Sequence, residues 1–196
     1  MSSWSELIPA YLRERYRSRV FVPLALVLAT TGMVAGGARF DSPAIGLQTL
    51  IACYLLVLAF RVWDDLEDRE RDQRDHPDRV LVRSGVNAPW LALLATALVS
   101  GTVLASLGPN AGQRLAILGG WILVLFVWYR TRRALAAHPL IGTSIVFAKY
   151  PLIAFVTAPP SHAPPLALSV TVLLALYFAL CIYELADDAT LRGSIP

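Results

Sequence analysis

Asp64, Asp68 and Asp72 stand four residues apart just past a long apolar run. On a helix this spacing stacks three carboxylates along one face. The surrounding charges make the row conspicuous. Asp65 precedes Arg69 by four residues, Glu67 precedes Arg71, Glu70 precedes Arg74 and Asp75 precedes Arg79, all ordinary acid-to-base pairs. Asp64 and Asp68 are each followed at that distance by another aspartate. Like charges so placed cost about 0.2–0.5 kcal/mol per pair, where opposite charges would gain as much. Arg61, Arg69 and Arg71, three residues from members of the row, relieve part of this repulsion. A divalent cation such as Mg²⁺ relieves it better, because hard cations take carboxylate oxygens. The competing reading is a solvated, charge-laced helix capping a membrane domain.

A second acidic cluster, Glu184, Asp187 and Asp188, follows the last apolar run. Spacings of three and four put Glu184 beside both aspartates on one helical surface. Read alone, it is equally a soluble tail. Basic groups complete the inventory. Arg79 and Arg83 follow the first row, and Tyr129, Arg132 and Arg133 follow the fourth apolar run. Arginine suits phosphate because its fork of donors matches two oxygens at once, although membrane anchoring accounts for any one of them. Lys149, the sole lysine, falls midway along an apolar run. An ionisable group there is costly and either lines a functional cavity or forms a structural ion pair within the bundle; at about ten residues or 15 Å of depth it is hard to rescue by snorkelling. Pro151, two residues on, is expected to kink that helix. His76 and His138 each precede a proline and read as turns. Two separated histidines without nearby cysteine make a poor zinc site.

The elements that must position these groups are membrane spans. The chain has 196 residues, 56% hydrophobic and 16% charged. Six apolar runs stand out: Val20 to Ala38, Pro43 to Trp63, Val86 to Leu107, Leu115 to Tyr129, Pro139 to Thr157 and Pro164 to Tyr183. A spanning helix needs roughly 20 such residues. The fourth run is short, and needs either Gln113 and Arg114 to reach outward into the interface or a local thinning of the bilayer. The expected fold is therefore all-α, a polytopic membrane bundle of about six helices forming a single domain over residues 1–196. The first run is too long for a cleaved signal and reads as an anchor.

Arginine placement sets the orientation. With the N-terminus inside, segment 1–19 holds Arg13, Arg15, Arg17 and Arg19, segment 61–85 holds six arginines, and Arg130, Arg132, Arg133 and Arg192 share that side. Only Arg39 and Arg114 fall opposite. Both termini and both acidic clusters are then cytoplasmic, in an integral protein of a prokaryotic cytoplasmic membrane. The net charge of +3 reflects this topology and gives no reason to propose nucleic-acid binding. Cys53 and Cys181 lie inside apolar runs, so no disulfide framework is implied.

Spans two and six run the same way, so their acidic ends reach one membrane level. Two acidic walls, basic groups at the same depth and an apolar bundle beneath suit a prenyl diphosphate. Acids hold Mg²⁺, metal and arginines hold the diphosphate, and the hydrocarbon tail lies among the spans.

The residues also resemble a known family. Asp64-Asp65-Leu66-Glu67-Asp68-Arg69-Glu70-Arg71-Asp72 is similar to the N-D-x-x-D-x-x-x-D motif of the UbiA superfamily of intramembrane prenyltransferases. His76-Pro77-Asp78-Arg79-Val80-Leu81 with Gly85 resembles that family's H-P-x-R-P-L segment and glycine. Tyr129 to Arg133 resembles its Y-x-x-x-K motif with arginine last, and Tyr183, Glu184, Asp187 and Asp188 resemble its second acidic motif. The likeness runs from about Arg61 to the C-terminus.

The resemblance implies Mg²⁺ held by Asp64, Asp65, Asp68, Asp72, Glu184, Asp187 and Asp188, with Asp65, Asp68 and Asp188 catalytic. Arg79, Tyr129, Arg132, Arg133 and Lys149 are the expected diphosphate-binding groups. It further implies transfer of a prenyl group to an aromatic or other lipophilic acceptor within the membrane, with loss of pyrophosphate. Departures accompany it: Asp64 stands for asparagine, Glu184 for aspartate, and Leu191 where a further acid is frequent. The family's usual bundle has nine spans, against six runs here. A compact relative, a homo-oligomer or partner subunit completing the bundle, a fragment, and a chain without catalysis all stay open. So do a non-catalytic protein binding lipid or prenyl diphosphate, and a terpene cyclase or prenyl hydrolase on this scaffold. Asp64 to Asp68 also spells the D-D-x-x-D of soluble prenyl synthases, which the spans exclude. A CDP-alcohol phosphotransferase lacks its D-G-x-x-A-R segment here, and a transporter rests on Lys149 alone.

Overall fold

The computed structural model of the chain describes residues 3–37, 42–107, 110–132, 139–158 and 166–187, with the side chains of 139–141, 143 and 184–187 excepted. Long apolar stretches leave the backbone no water to bond to, so each satisfies its amides internally as a helix. Ten helices and no strand occur among the described residues. They are α1 (Trp4–Arg15), α2 (Ser18–Ala35), α3 (Pro43–Glu67), α4 (Arg69–Asp75), α5 (Val80–Arg83), α6 (Ala88–Ser106), α7 (Ala111–Thr131), α8 (Pro139–Phe147), α9 (Lys149–Thr157) and α10 (Leu166–Asp187). Five of these, α2, α3, α6, α7 and α10, are long and apolar enough to cross a membrane. The molecule is an all-α polytopic membrane bundle.

Two runs differ in detail from their expected form. The fourth is extended backward through Gln113 and Arg114, giving α7 21 residues. Arg114 does not reach outward. It is buried and its Nη1 lies 3.5 Å from the Ala105 carbonyl, in the last turn of α6. Such a cation answers the negative end of the helix dipole. The fifth run is divided at Ala148 into two nine-residue helices, α8 and α9. Pro151 has no amide hydrogen to offer the Phe147 carbonyl, so the ladder loses a rung where the two pieces meet. Lys149 is thereby the first residue of α9.

The core is built on α3. Its buried face, including Cys53, Leu56, Val57, Phe60 and Val62, packs among α2, α6 and α9. Small residues permit close approach: a side chain added at Gly32 would meet the Ala154 carbonyl oxygen at 2.2 Å. Leucines, valines and phenylalanines such as Leu26, Val99, Phe126 and Phe178 are exposed on the outer faces, where lipid tails replace water. Ser169 near the start of α10 donates to the Ala35 carbonyl at the end of α2. α10 therefore runs opposite to α2, and its C-terminal end lies at the face where α3 and α7 end.

α1 precedes the spans and packs against α5 and α6. A capping box between Ser3 and Glu6 starts it. Gly85, which closes the stretch after α5, has φ +67°, a left-handed conformation that a residue without Cβ adopts at no steric cost.

Candidate functional site

The acidic row lies across the junction of α3 and α4. The Asp68 amide donates to the Asp64 carbonyl at 2.9 Å, and the Asp72 amide donates to the Asp68 carbonyl at 2.9 Å. The three aspartates are thus successive rungs of one helical ladder. At Asp68 the ladder loosens, with φ −91° and ψ 0° against an ideal ψ of about −42°.

Each acid faces a cation, and the cations come from different elements. Asp64 accepts from the Tyr129 hydroxyl through Oδ1 and pairs with the Lys149 ammonium through Oδ2. α7 and α9 thereby meet α3 at a single carboxylate. Lys149 is almost wholly buried, so its charge relies on this partner. A cation at the first residue of α9 also opposes the positive end of that helix dipole, which adds to its need of Asp64. Asp68, more open than Asp64, takes Arg132 Nη2 at 2.8 Å, and the same nitrogen donates to the Glu67 carbonyl at 3.2 Å. The Arg132 guanidinium also sits 4.9 Å from the centre of the Tyr129 ring. Asp72 is buried and pairs with Arg79 Nη1 at 2.5 Å. Beside the Asp68 pair opens a polar cleft of about 260 Å³, lined by Leu66, Glu67, Glu70, Tyr129, Arg130 and Arg132.

Asp65 is turned to another side. Its Oδ2 accepts from the Tyr11 hydroxyl at 2.8 Å and from Arg15 Nε at 3.2 Å, and its Oδ1 accepts from Arg15 Nη2 at 2.7 Å. Arg61 Nη2 lies 3.2 Å from Oδ1. Burial, the adjacent Asp65 charge and the hydrogen bond to it push the Tyr11 hydroxyl well above a tyrosine's ordinary value, so it stays a donor. Burial alone would lower the Arg15 value, but the hydrogen bonds and charge of Asp65 outweigh it and raise the guanidinium further.

The structure thus brings together Asp64, Asp68, Tyr129, Arg132 and Lys149. It pairs Asp72 with Arg79 close by and sends Asp65 toward α1. Glu184 and Asp187 are in the last turn of α10. Their side chains, with Asp188 and Arg133, lie outside the described residues. Tyr11, Glu14 and Arg15 were not among the residues singled out by sequence. The signal was there in Leu7, Tyr11 and Glu14 or Arg15, which fall on one face of an amphipathic helix at spacings of three and four. Arg15 reads first as one more inside-positive charge.

Compared with known protein families, residues 25–193 match the model of the UbiA prenyltransferase family. The chain belongs to the UbiA prenyltransferase family. Comparison with curated proteins and with solved structures finds no match. Enzymes of the UbiA family are generally metal-dependent, so the donor set bears testing. Among the described residues, no three carboxylate, histidine or cysteine side chains gather around one point. Magnesium seldom needs such a cage. It keeps several waters and takes one or two carboxylates plus substrate phosphates. Asp64 and Asp68, one turn apart and each held by groups that phosphate oxygens could equally engage, fit that form. Asp65 fits it less well, because Tyr11, both nitrogens of the Arg15 fork and Arg61 crowd its two oxygens, whereas Asp64 meets one donor on each.

Proposed function

We propose that this UbiA-family protein catalyses Mg²⁺-dependent transfer of a prenyl group from an allylic diphosphate to a lipophilic acceptor inside the membrane, releasing pyrophosphate. One observation carries the reading. At the end of an apolar bundle, Asp64 and Asp68 each pair with a phosphate-competent donor from another helix: Tyr129 and Lys149 on one, Arg132 on the other. Such a site is neutral at rest. On binding a diphosphate with its metal, Asp64 and Asp68 would turn to the cation, and Tyr129, Lys149 and Arg132 would turn to the phosphate oxygens. No unpaired charge is left buried.

The chain's own groups then have distinct tasks. Arg132 offers its planar fork to two phosphate oxygens, and Lys149 and Tyr129 offer an ammonium and a hydroxyl at the inner end of the site. Asp64 and Asp68, with Glu184, Asp187 and Asp188 of the second acidic segment, would hold Mg²⁺. When bound, the metal neutralises charge that develops on the leaving pyrophosphate. The allylic C–O bond breaks with its electron pair going to pyrophosphate, and the same donors stabilise that charge. The electron-rich acceptor attacks the allyl cation, and a carboxylate of the acidic segments takes the proton it loses. The apolar walls of α2, α3, α6 and α9 exclude the water that would quench the cation.

The acidic face is proposed to be the cytoplasmic one, because the arginine-rich segments share that face. The deciding experiment incubates the purified chain with labelled farnesyl or geranylgeranyl diphosphate, Mg²⁺ and candidate aromatic acceptors. Pyrophosphate release that is lost with EDTA and in Asp68→Ala is expected. Full activity in Asp68→Ala overturns the metal assignment. Cyclised hydrocarbon formed without an acceptor makes the protein a cyclase, and binding without release makes it a non-catalytic carrier.

A further inference from the structure

The matched family region starts at residue 25, yet the helix before it reaches into the acidic motif. Tyr11 is fully buried and Arg15 half-buried, and both end on Asp65. Glu14, which lies between them in the chain, accepts the Val80 amide at 3.0 Å through Oε2. The Tyr11 ring lies 5.2 Å from that of Trp90, whose Nε1 donates to Ser84 Oγ at 3.0 Å. α1 therefore touches the end of α3 on one side of the acidic segment, and α5 and the start of α6 on the other. It spans the segment like a strap.

Successive helical residues differ by about 100° in direction. Pinning Asp65 against α1 therefore leaves Asp64 rotated toward α7 and α9, where Tyr129 and Lys149 meet it. The fork of Arg15 takes one nitrogen to each oxygen of Asp65, which fixes the plane of the carboxylate as well as its position. With Tyr11 and Arg61 on the remaining acceptor positions, Asp65 is left little capacity for a metal.

We propose that α1 is a positioning strap for the acidic row. Tyr11 and Arg15 act through Asp65 to set the rotation of the last turn of α3, and so present Asp64 and Asp68 to the site. Tyr11, Arg15 and Asp65 are positioning residues; none of them touches substrate. The proposal deepens the function proposed above and rests on it for its catalytic consequence.

The test uses the full chain carrying Tyr11→Phe, Arg15→Gln, Arg15→Lys, Asp65→Asn and the double variant Arg15→Gln/Asp65→Asn. Two quantities are measured: the rate of tryptic cleavage between Arg69 and Arg83, and kcat and KM for prenyl diphosphate. Arg15→Gln is expected to expose the segment to trypsin and to lower kcat about tenfold, since small misplacements of reacting groups are costly. KM changes less, because the diphosphate donors stay in place. Arg15→Lys recovers protection only in part, one ammonium replacing a fork. The double variant behaves like Asp65→Asn alone in both readouts, the signature of residues acting through one contact. Wild-type protection and kcat in Arg15→Gln overturn the strap, as do additive effects in the double variant. If the wild-type chain turns over no prenyl diphosphate, the proposed function falls. The tryptic pattern and its non-additivity with Asp65→Asn still decide the strap.

Discussion

Lys149→Met keeps the length of a long unbranched side chain and deletes a charge whose side chain is 3% exposed. The Asp64 carboxylate, 15% exposed, is left with the Tyr129 hydroxyl. Removing one partner of a buried ion pair costs about 3–5 kcal/mol, because the other charge stays behind uncompensated. Two features of the site reduce that figure. Asp64 keeps some contact with the outside, and a hydrogen bond to a charged group is worth about 1.5–3 kcal/mol. The single substitution is therefore expected to cost about 2–3 kcal/mol. Asp64→Asn should cost a similar amount, since it leaves the ammonium facing an amide. Lys149→Met/Asp64→Asn removes both charges together and should cost only about 1–2 kcal/mol, well short of the summed single effects. Reversible unfolding of the four chains by SDS in mixed micelles, followed by tryptophan fluorescence, gives the three differences. Additive losses would refute the reasoning, for then the two charges do not compensate each other and the joint formed by α3, α7 and α9 is not held by this pair.

Other residues allow similar checks. Tyr16 is buried, and its hydroxyl donates to the Tyr54 carbonyl at 2.7 Å, so Tyr16→Phe should cost about 1 kcal/mol in the same unfolding assay. Burial, then Tyr54 and Tyr150, push this hydroxyl above its ordinary range. The folded chain thus holds the proton more tightly than the unfolded one, and the stabilisation is complete below the unfolded value of about 10 and lost as pH rises above it. Tyr16→Phe should accordingly show a shallower alkaline loss than the wild type; equal slopes would contradict this. A valine at Gly32 must push α9 away, because the atom it meets is the Ala154 carbonyl oxygen, which has no rotamer to change. The expected loss is about 1–3 kcal/mol or more, and unchanged stability would mean that α2 and α9 pack differently. A lipid-soluble maleimide should label the partly exposed Cys181 and spare Cys53, which is buried against Thr157 at 3.1 Å in the folded chain. Labelling of Cys53 at a comparable rate would show that the core of α3 opens readily.

The elements themselves were legible from local pattern. Runs of about 20 apolar residues leave the backbone no alternative to the helix, and α2, α3, α6 and α10 follow those runs to within a few residues at most ends. The fifth run was harder to read. Pro151 announces a kink, but its effect lies three residues upstream at Ala148, after which Lys149 begins a new helix. Arg114 is ambiguous in the sequence because a charge near a span end can turn to the interface or to a neighbouring helix end, and only the proximity of α6 decides between them.

Helical spacing alone determined that Asp64, Asp68 and Asp72 form one ladder, since periodicity is a property of neighbours along the chain. The family motif, too, is written in consecutive residues. Which cation answers each carboxylate is a different kind of fact. Lys149 meets Asp64 across 85 residues, Arg132 meets Asp68 across 64, and Arg15 meets Asp65 across 50. Such partners depend on which helix faces come into register when α1, α3, α7 and α9 pack. An arginine that anchors the chain at a membrane surface and one that grips a buried aspartate are identical in sequence, and only the packed structure tells them apart.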